Sequence, residues 1–133
     1  MDLRRLLCVL SLAALNALLA AQATGEVTAV KVMGDSLSDS GTFGFKFTVQ
    51  QKGKPSLWVE QVAAHYGLSL CPYFNGKAFK RNDACSNYAI GGGRINYLKA
   101  PNLPVSITQQ MQVAKAVGFA HGDLLLVNGG ASQ

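Results

Sequence analysis

The chain reads as an α/β fold built on a parallel sheet, and three observations predict it. Short apolar runs at residues 27–33 and 123–127 have strand character, helical patterns lie between them, and the strand candidates run into glycines. Strands alternating with helices argue for a parallel sheet with helices packed on it. The carboxyl ends of such strands are where α/β sheets build their sites.

The elements follow in order. Residues 27–33 alternate weakly and are rich in β-branched side chains, as in a largely buried strand. Residues 34–53 are loop-like, with glycine at 34, 41, 44 and 53. Pro55-Ser56 opens a helix: Ser56 can cap it, Leu57, Val59, Val62, Ala63 and Tyr66 recur near helical spacing, and Gly67 closes it. Residues 72–84 hold Asn75-Gly76 and several charges but little to pack. Residues 86–90 are a short strand candidate ending in Gly91-Gly92-Gly93. Ser106-Ile107-Thr108-Gln109 matches a capping box, in which serine and glutamine satisfy each other's free backbone donors. Ile107, Met111, Ala114 and Val117 continue that helix to Gly118. Residues 123–127, one acid and four apolar side chains, suit a strand buried on both faces. Trp58, Tyr66 and Phe119 are expected in the core, and His65 and His121 at the surface or at helix ends.

The first residues read as an export signal. Asp2, Arg4 and Arg5 precede an apolar run at 6–21 broken only by Ser11 and Asn16, and Ala21-Gln22-Ala23 supplies the small-x-small pattern for cleavage. The competing reading, an uncleaved anchor, needs about 20 apolar residues to span a bilayer, and the run falls short of that. Residues 1–23 are therefore expected to leave as a signal peptide, with 24–133 as one domain, secreted or periplasmic and without a stable membrane span. Loss of Arg4, Arg5 and Asp2 lowers the formal charge from +5 to +4. The lysines are scattered. Phe43-Gly44-Phe45-Lys46-Phe47 is only a faint version of the aromatic–basic interleaving that nucleic acid requires, so no nucleic-acid partner is expected. Cys8 departs with the signal. Cys71 and Cys85, with no Cys-x-x-Cys and no histidine nearby, read as a disulfide rather than a metal site.

Val32-Met33-Gly34-Asp35-Ser36-Leu37-Ser38-Asp39-Ser40-Gly41 places a serine just past the first strand. With Asn87-Tyr88-Ala89-Ile90-Gly91-Gly92-Gly93 and Leu124-Leu125-Leu126-Val127-Asn128-Gly129-Gly130-Ala131, it resembles the first three blocks of the GDSL or SGNH serine hydrolases. The resemblance covers nearly all of residues 24–133 but only the front part of a family domain. It implies an incomplete three-layer α/β/α, flavodoxin-like parallel sheet. It also implies an esterase or lipase that acts on carboxylic ester bonds of a small ester or lipid and uses no cofactor.

On that resemblance Ser36 is the nucleophile and its own N–H one oxyanion donor. The Asn-x-Ala-x-x-Gly spacing makes Gly92 N–H another, or Gly91 if the register slips by one. Glycine suits that position because a Cβ would keep substrate from the backbone. Losing one such donor typically raises the barrier by about 2.7–4 kcal/mol. The Gly91–Gly93 run lacks the Gly-x4-Gly-Lys-Ser/Thr pattern of a phosphate loop and, taken alone, is a turn. Asp35 and Asp39 are expected as caps of the loop-to-helix junction. Phe43, Phe45 and Phe47 either line an acyl pocket or form the buried face of a strand.

The sequence departs from the family at its third block. Ser132 stands where the family has the asparagine that is its third oxyanion donor, and a hydroxyl is shorter than a carboxamide. The family's late Asp-x-x-His is not among these residues, since neither His65 nor His121 has an aspartate three positions before it. A serine without a base is a poor nucleophile at neutral pH. The expectation is thus a truncated hydrolase inactive alone, with a non-catalytic remnant or binding module of the same fold as the alternative. An envelope-anchored interaction protein rests only on the N-terminal apolar run. A sheet lacking its last strands would also present an unpaired apolar edge, an aggregation hazard.

Overall fold

A computed structural model describes residues 25–48, 56–100 and 102–130. The expected signal peptide, Pro55 and Ser132 lie outside the described residues. The elements are β1 (Ala29–Met33), α1 (Trp58–His65), β2 (Phe74–Asn75), β3 (Lys80–Arg81), α2 (Ile107–Val117) and β4 (Asp123–Val127). They make a small α/β arrangement. Strands β1 and β4 pair in parallel, from Ala29 opposite Asp123 to Met33 opposite Val127. Strands β2 and β3 form a separate antiparallel hairpin.

The strand expected at 86–90 is reduced to isolated bridges: Asn87 pairs with Val32 on one side and with Pro72 on the other, both in parallel. Tyr88 N–H still donates to Val32 O at 2.8 Å, and Tyr73 N–H to Asn87 O at 2.7 Å. On the Pro72 side pairing stops because Ala89 N–H turns back to Asn87 Oδ1 at 3.0 Å; on the β1 side Gly34 N–H is diverted to Gln110 Oε1, although Ile90 N–H still reaches Gly34 O at 3.2 Å. At Asn87 a short polar side chain outcompetes the strand for a backbone donor.

Alternation along β1 divides the core. Val30 and Val32 pack with Leu57, Val59 and Ala63 at α1, joined by Leu124 and Leu126 from β4. Met33 packs on the other face with Tyr73, Phe74, Tyr88, Ile90 and, from α2, Ile107 and Ala114. Each face of the pair therefore carries one helix. The expectation that β4 is buried on both faces fails, because α2 lies over Met33 and the tyrosines rather than over β4. Leu125 and Val127 are accordingly 44% and 54% exposed.

Segment 72–84 is also better packed than its sequence suggests. Tyr73 and Phe74 are among the largest fully buried side chains, with ring centroids 5.0 Å apart, and Tyr73 lies 4.5 Å from Tyr88. Burial pushes the Tyr88 phenol up to about 12. Burial also raises Tyr73, helped by its 3.0 Å hydrogen bond to Asp83 Oδ1.

Helix ends follow local chemistry. Glu60, not Ser56, satisfies the start of α1: Leu57 N–H donates to Glu60 Oε2 at 3.0 Å. Gly67 N–H donates to Ala64 O and Leu68 N–H to Ala63 O, both at 2.9 Å, the paired closure expected at a glycine past a helix end. Ser106 Oγ accepts Gln109 N–H at 3.3 Å and caps α2. Trp58, Tyr66 and Phe119 are not core residues but roughly half exposed. Val59 and Ala63, one turn apart, take the inward face of α1, which turns the neighbouring Trp58 toward solvent. Among the described residues, no helix is long and apolar enough to cross a membrane.

Cys71 and Cys85 are joined by a disulfide with a Cα–Cα separation of 5.1 Å. It closes the loop that carries Tyr73, Phe74 and the β2–β3 hairpin. Replacing both cysteines with serine is expected to lower stability by about 3 kcal/mol, from loop-closure entropy over about 15 residues. Urea denaturation of both proteins measures this, and a midpoint unchanged by the substitution would contradict it.

Candidate functional site

Strands β1 and β4 finish at the same level, and the chain leaves them side by side. Asn128 N–H donates to Met33 O at 3.0 Å, one step beyond the paired strands. A Cβ on Gly34 would stand 2.9 Å from Asn128 O and 3.1 Å from Ser38 Cβ. Glycine is therefore required for the two exits to approach. Ile90 N–H donates to Gly34 O at 3.2 Å, and Gly93 N–H to Ile90 O at 2.9 Å. Segments 34–41, 90–93 and 128–130 thus meet at the carboxyl end of the parallel pair, where such sheets place their ligands.

The two aspartates hold this junction together from inside. Both are fully buried. Asp39 Oδ1 accepts Gly41 N–H at 2.9 Å and Thr42 N–H at 2.7 Å, while its Oδ2 accepts Gly91 N–H at 2.7 Å. Asp35 Oδ1 accepts Leu37 N–H at 3.1 Å and Asn128 Nδ2 at 3.5 Å. Neither caps a helix as expected. They satisfy turn donors, and Asp39 additionally ties the 39–42 turn to the 90–93 turn.

The loop's three serines differ in what engages them. Ser38 Oγ accepts Asn128 Nδ2 at 3.3 Å, and Ser40 Oγ accepts Asn87 Nδ2 at 2.6 Å. Ser36 is half-buried, and among the described residues its hydroxyl has no partner. The two glycines named for the oxyanion role are likewise distinguished. Gly91 N–H is committed to Asp39. Gly92 is exposed with φ +79°, a left-handed conformation that favours glycine, and no described residue accepts its N–H.

An open cleft of about 450 Å³ adjoins this point, lined by Leu37, Phe47, Leu57, Trp58, Gln61 and Asn128 among others. The three phenylalanines do not act alike. Phe47 borders this cleft, Phe45 stacks edge-on against it at 4.8 Å, and Phe43 packs into the tyrosine side of the core. Alternation fails because residues 43–47 form turns rather than a strand.

Neither histidine belongs to the three segments that meet at the junction. His121 sits just before β4 and beside Gly25, at the amino end of a pair about 16 Å long for five residues at roughly 3.3 Å each. His65 ends α1, whose first residue, Trp58, borders the cleft. It therefore lies about 11 Å further along the helix axis, seven residues at 1.5 Å. Among the described residues, no group of three or more His, Cys, Asp or Glu side chains could hold a metal ion.

Three polar side chains at the junction have no role that sequence alone assigns: Asn87, Gln110 and Asn128. Gln110 had a legible signal, because it takes the third position after Ile107 and so falls on the inward stripe of α2. The expected stripe through Met111 and Val117 is wrong on this point, as both are roughly half exposed while Gln110 is fully buried. No family model, no curated protein and no solved structure matches this chain.

Proposed function

We propose that this chain is the front part of an exported GDSL-type serine hydrolase that acts on carboxylic esters. Ser36 is its nucleophile and Gly92 N–H an oxyanion donor. In this reading the β1–β4 pair and its two helices belong to a three-layer SGNH sheet, and the cleft beside Leu37 and Phe47 receives the apolar part of a small ester or lipid. The observation that supports it is the meeting of the three motif segments at one end of the sheet, with Ser36 the loop serine whose hydroxyl has no partner among the described residues. A second reading, a binding module of the same fold, is favoured by the placement of both histidines outside those three segments. A base must come within about 2.6–3.2 Å of the proton it removes.

Fluorophosphonate labelling followed by peptide mapping separates the two. The hydrolase reading expects a slowly formed adduct on Ser36 that disappears in Ser36→Ala, and the same substitution should remove whatever turnover of p-nitrophenyl butyrate the chain shows alone. A folded parent that takes no label, while retaining ester binding, would establish the binding module instead. Turnover surviving Ser36→Ala would remove Ser36 from the chemistry.

A further inference from the structure

Gln110 is fully buried on α2, and every hydrogen-bonding group of its carboxamide is used on backbone. Its Oε1 accepts Gly34 N–H at 2.7 Å, and its Nε2 donates to Gly34 O at 3.0 Å and to Pro104 O at 3.2 Å. The side chain thus pairs with Gly34 much as a neighbouring strand would, through one donor and one acceptor. Gly34 O also accepts Ile90 N–H, so both lone pairs of that carbonyl are occupied. Gly34 is two residues before Ser36.

The helix that carries Gln110 is itself fixed to the other half of the site. Ile107 N–H donates to Arg94 O at 2.8 Å, and Arg94 N–H to Val105 O at 3.0 Å. Arg94 directly follows the 91–93 turn. One helix therefore grips the Ser36 turn through Gln110 and the Gly92 turn through its own first residue. From this geometry we infer that Gln110 is a positioning residue that sets the placement of the Ser36 hydroxyl relative to the Gly92 N–H. The inference rests on the hydrolase reading and adds to it a residue outside its motifs.

Gln110→Met keeps the side chain's length and removes all three hydrogen bonds. Gln110→Glu keeps the acceptor for Gly34 N–H and loses the donors. At a temperature where thermal melts show parent and variant fully folded, Gln110→Met should slow fluorophosphonate labelling of Ser36 about 10- to 100-fold. Displacement of reacting groups by about an ångström has effects of that size. Reversible binding of the probe should change less than twofold, and Gln110→Glu should fall between variant and parent. Labelling within twofold of the parent, with only the melting temperature lowered, would overturn the inference and leave Gln110 a packing residue. Should Gln110→Met fail to fold, Gln110→Glu decides by the same comparison.

If the parent itself takes no label, the hydrolase reading fails, and the positioning role is read from the Gly92 amide resonance in a two-dimensional ¹⁵N–¹H spectrum. Gln110 makes no hydrogen bond to Gly92, but its Nε2 stands 3.3 Å from where a Cβ on Gly93 would be, so movement of that peak supports coupling between the turns only where Gln110→Glu, which keeps the acceptor for Gly34 N–H, moves it less than Gln110→Met. A stationary peak rejects it.

Discussion

Asp39→Ala is expected to cost about 4 kcal/mol and to destroy the junction before any other part of the fold yields. Three backbone donors, from Gly41, Thr42 and Gly91, lose their acceptor at once. A donor left unsatisfied in a buried place costs about 1–3 kcal/mol, and Thr42 is almost wholly buried. Set against about 5–15 kcal/mol for a whole domain, that is a large fraction of the stability. Asp39→Asn sharpens the test. Its single carboxamide oxygen can still accept Gly41 and Thr42 N–H, but its NH₂ then faces Gly91 N–H, donor against donor. The asparagine variant should therefore keep the 39–42 turn and lose its tie to the 90–93 turn. Amide exchange would show protection retained at Thr42 and lost at Gly91. Equal loss at both sites, or equal stability of the alanine and asparagine variants, would contradict the division of labour between the two carboxylate oxygens.

That carboxylate illustrates which parts of the site are legible in a sequence. Acids within a glycine- and serine-rich loop announce that backbone donors need satisfying, and Asp39 does satisfy two nearby. Its third partner is 52 positions away, and no local pattern carries such information. The same boundary runs through the fold. Both paired strands are readable because burial of β1 and the apolar run of β4 are properties of contiguous residues. So are the ends of α2, set by Ser106 and Gly118.

Errors arise where distant partners decide. Segment 86–90 has strand composition, yet Asn87 spends its carboxamide on Ser38 O and Ser40 Oγ and diverts the Ala89 donor. Tyr73 and Phe74 look stranded among charges until Tyr88 and Met33 are brought against them. Gln110 looks like an ordinary polar residue on a helix until Gly34 is placed beside it. At each position the competing influence is a tertiary hydrogen bond or contact, and the residue concerned is polar or aromatic rather than aliphatic.

Acid should loosen the structure from the end opposite the site. Lys31 on β1 forms a 2.9 Å ion pair with Asp123 Oδ2 on β4, donates to Gly118 O at the end of α2, and lies 5.1 Å from the Phe119 ring. Both charged side chains are nearly buried, at 12% and 6% exposed. The hydrogen bond from Lys31 holds the Asp123 carboxyl below its ordinary value, assisted by Ala120 N–H. A carboxyl whose folded value lies below its unfolded one binds fewer protons when folded, so its contribution is complete above about pH 4 and fades as pH falls through the folded value. Asp123→Asn should then cost about 3 kcal/mol at pH 7, the lower end for breaking a buried pair from one side. That difference from the parent should shrink toward pH 3. Replacing both partners together, Lys31→Met with Asp123→Leu, should recover most of the loss, because no uncompensated charge remains. Urea denaturation at the two pH values measures all three proteins. A cost for Asp123→Asn that is the same at pH 3 as at pH 7 would rule out the ion pair as its source. Because Lys31 fastens the last turn of α2 to the sheet, and α2 carries Gln110, its release should also raise amide exchange at Gly34, whose N–H Gln110 holds.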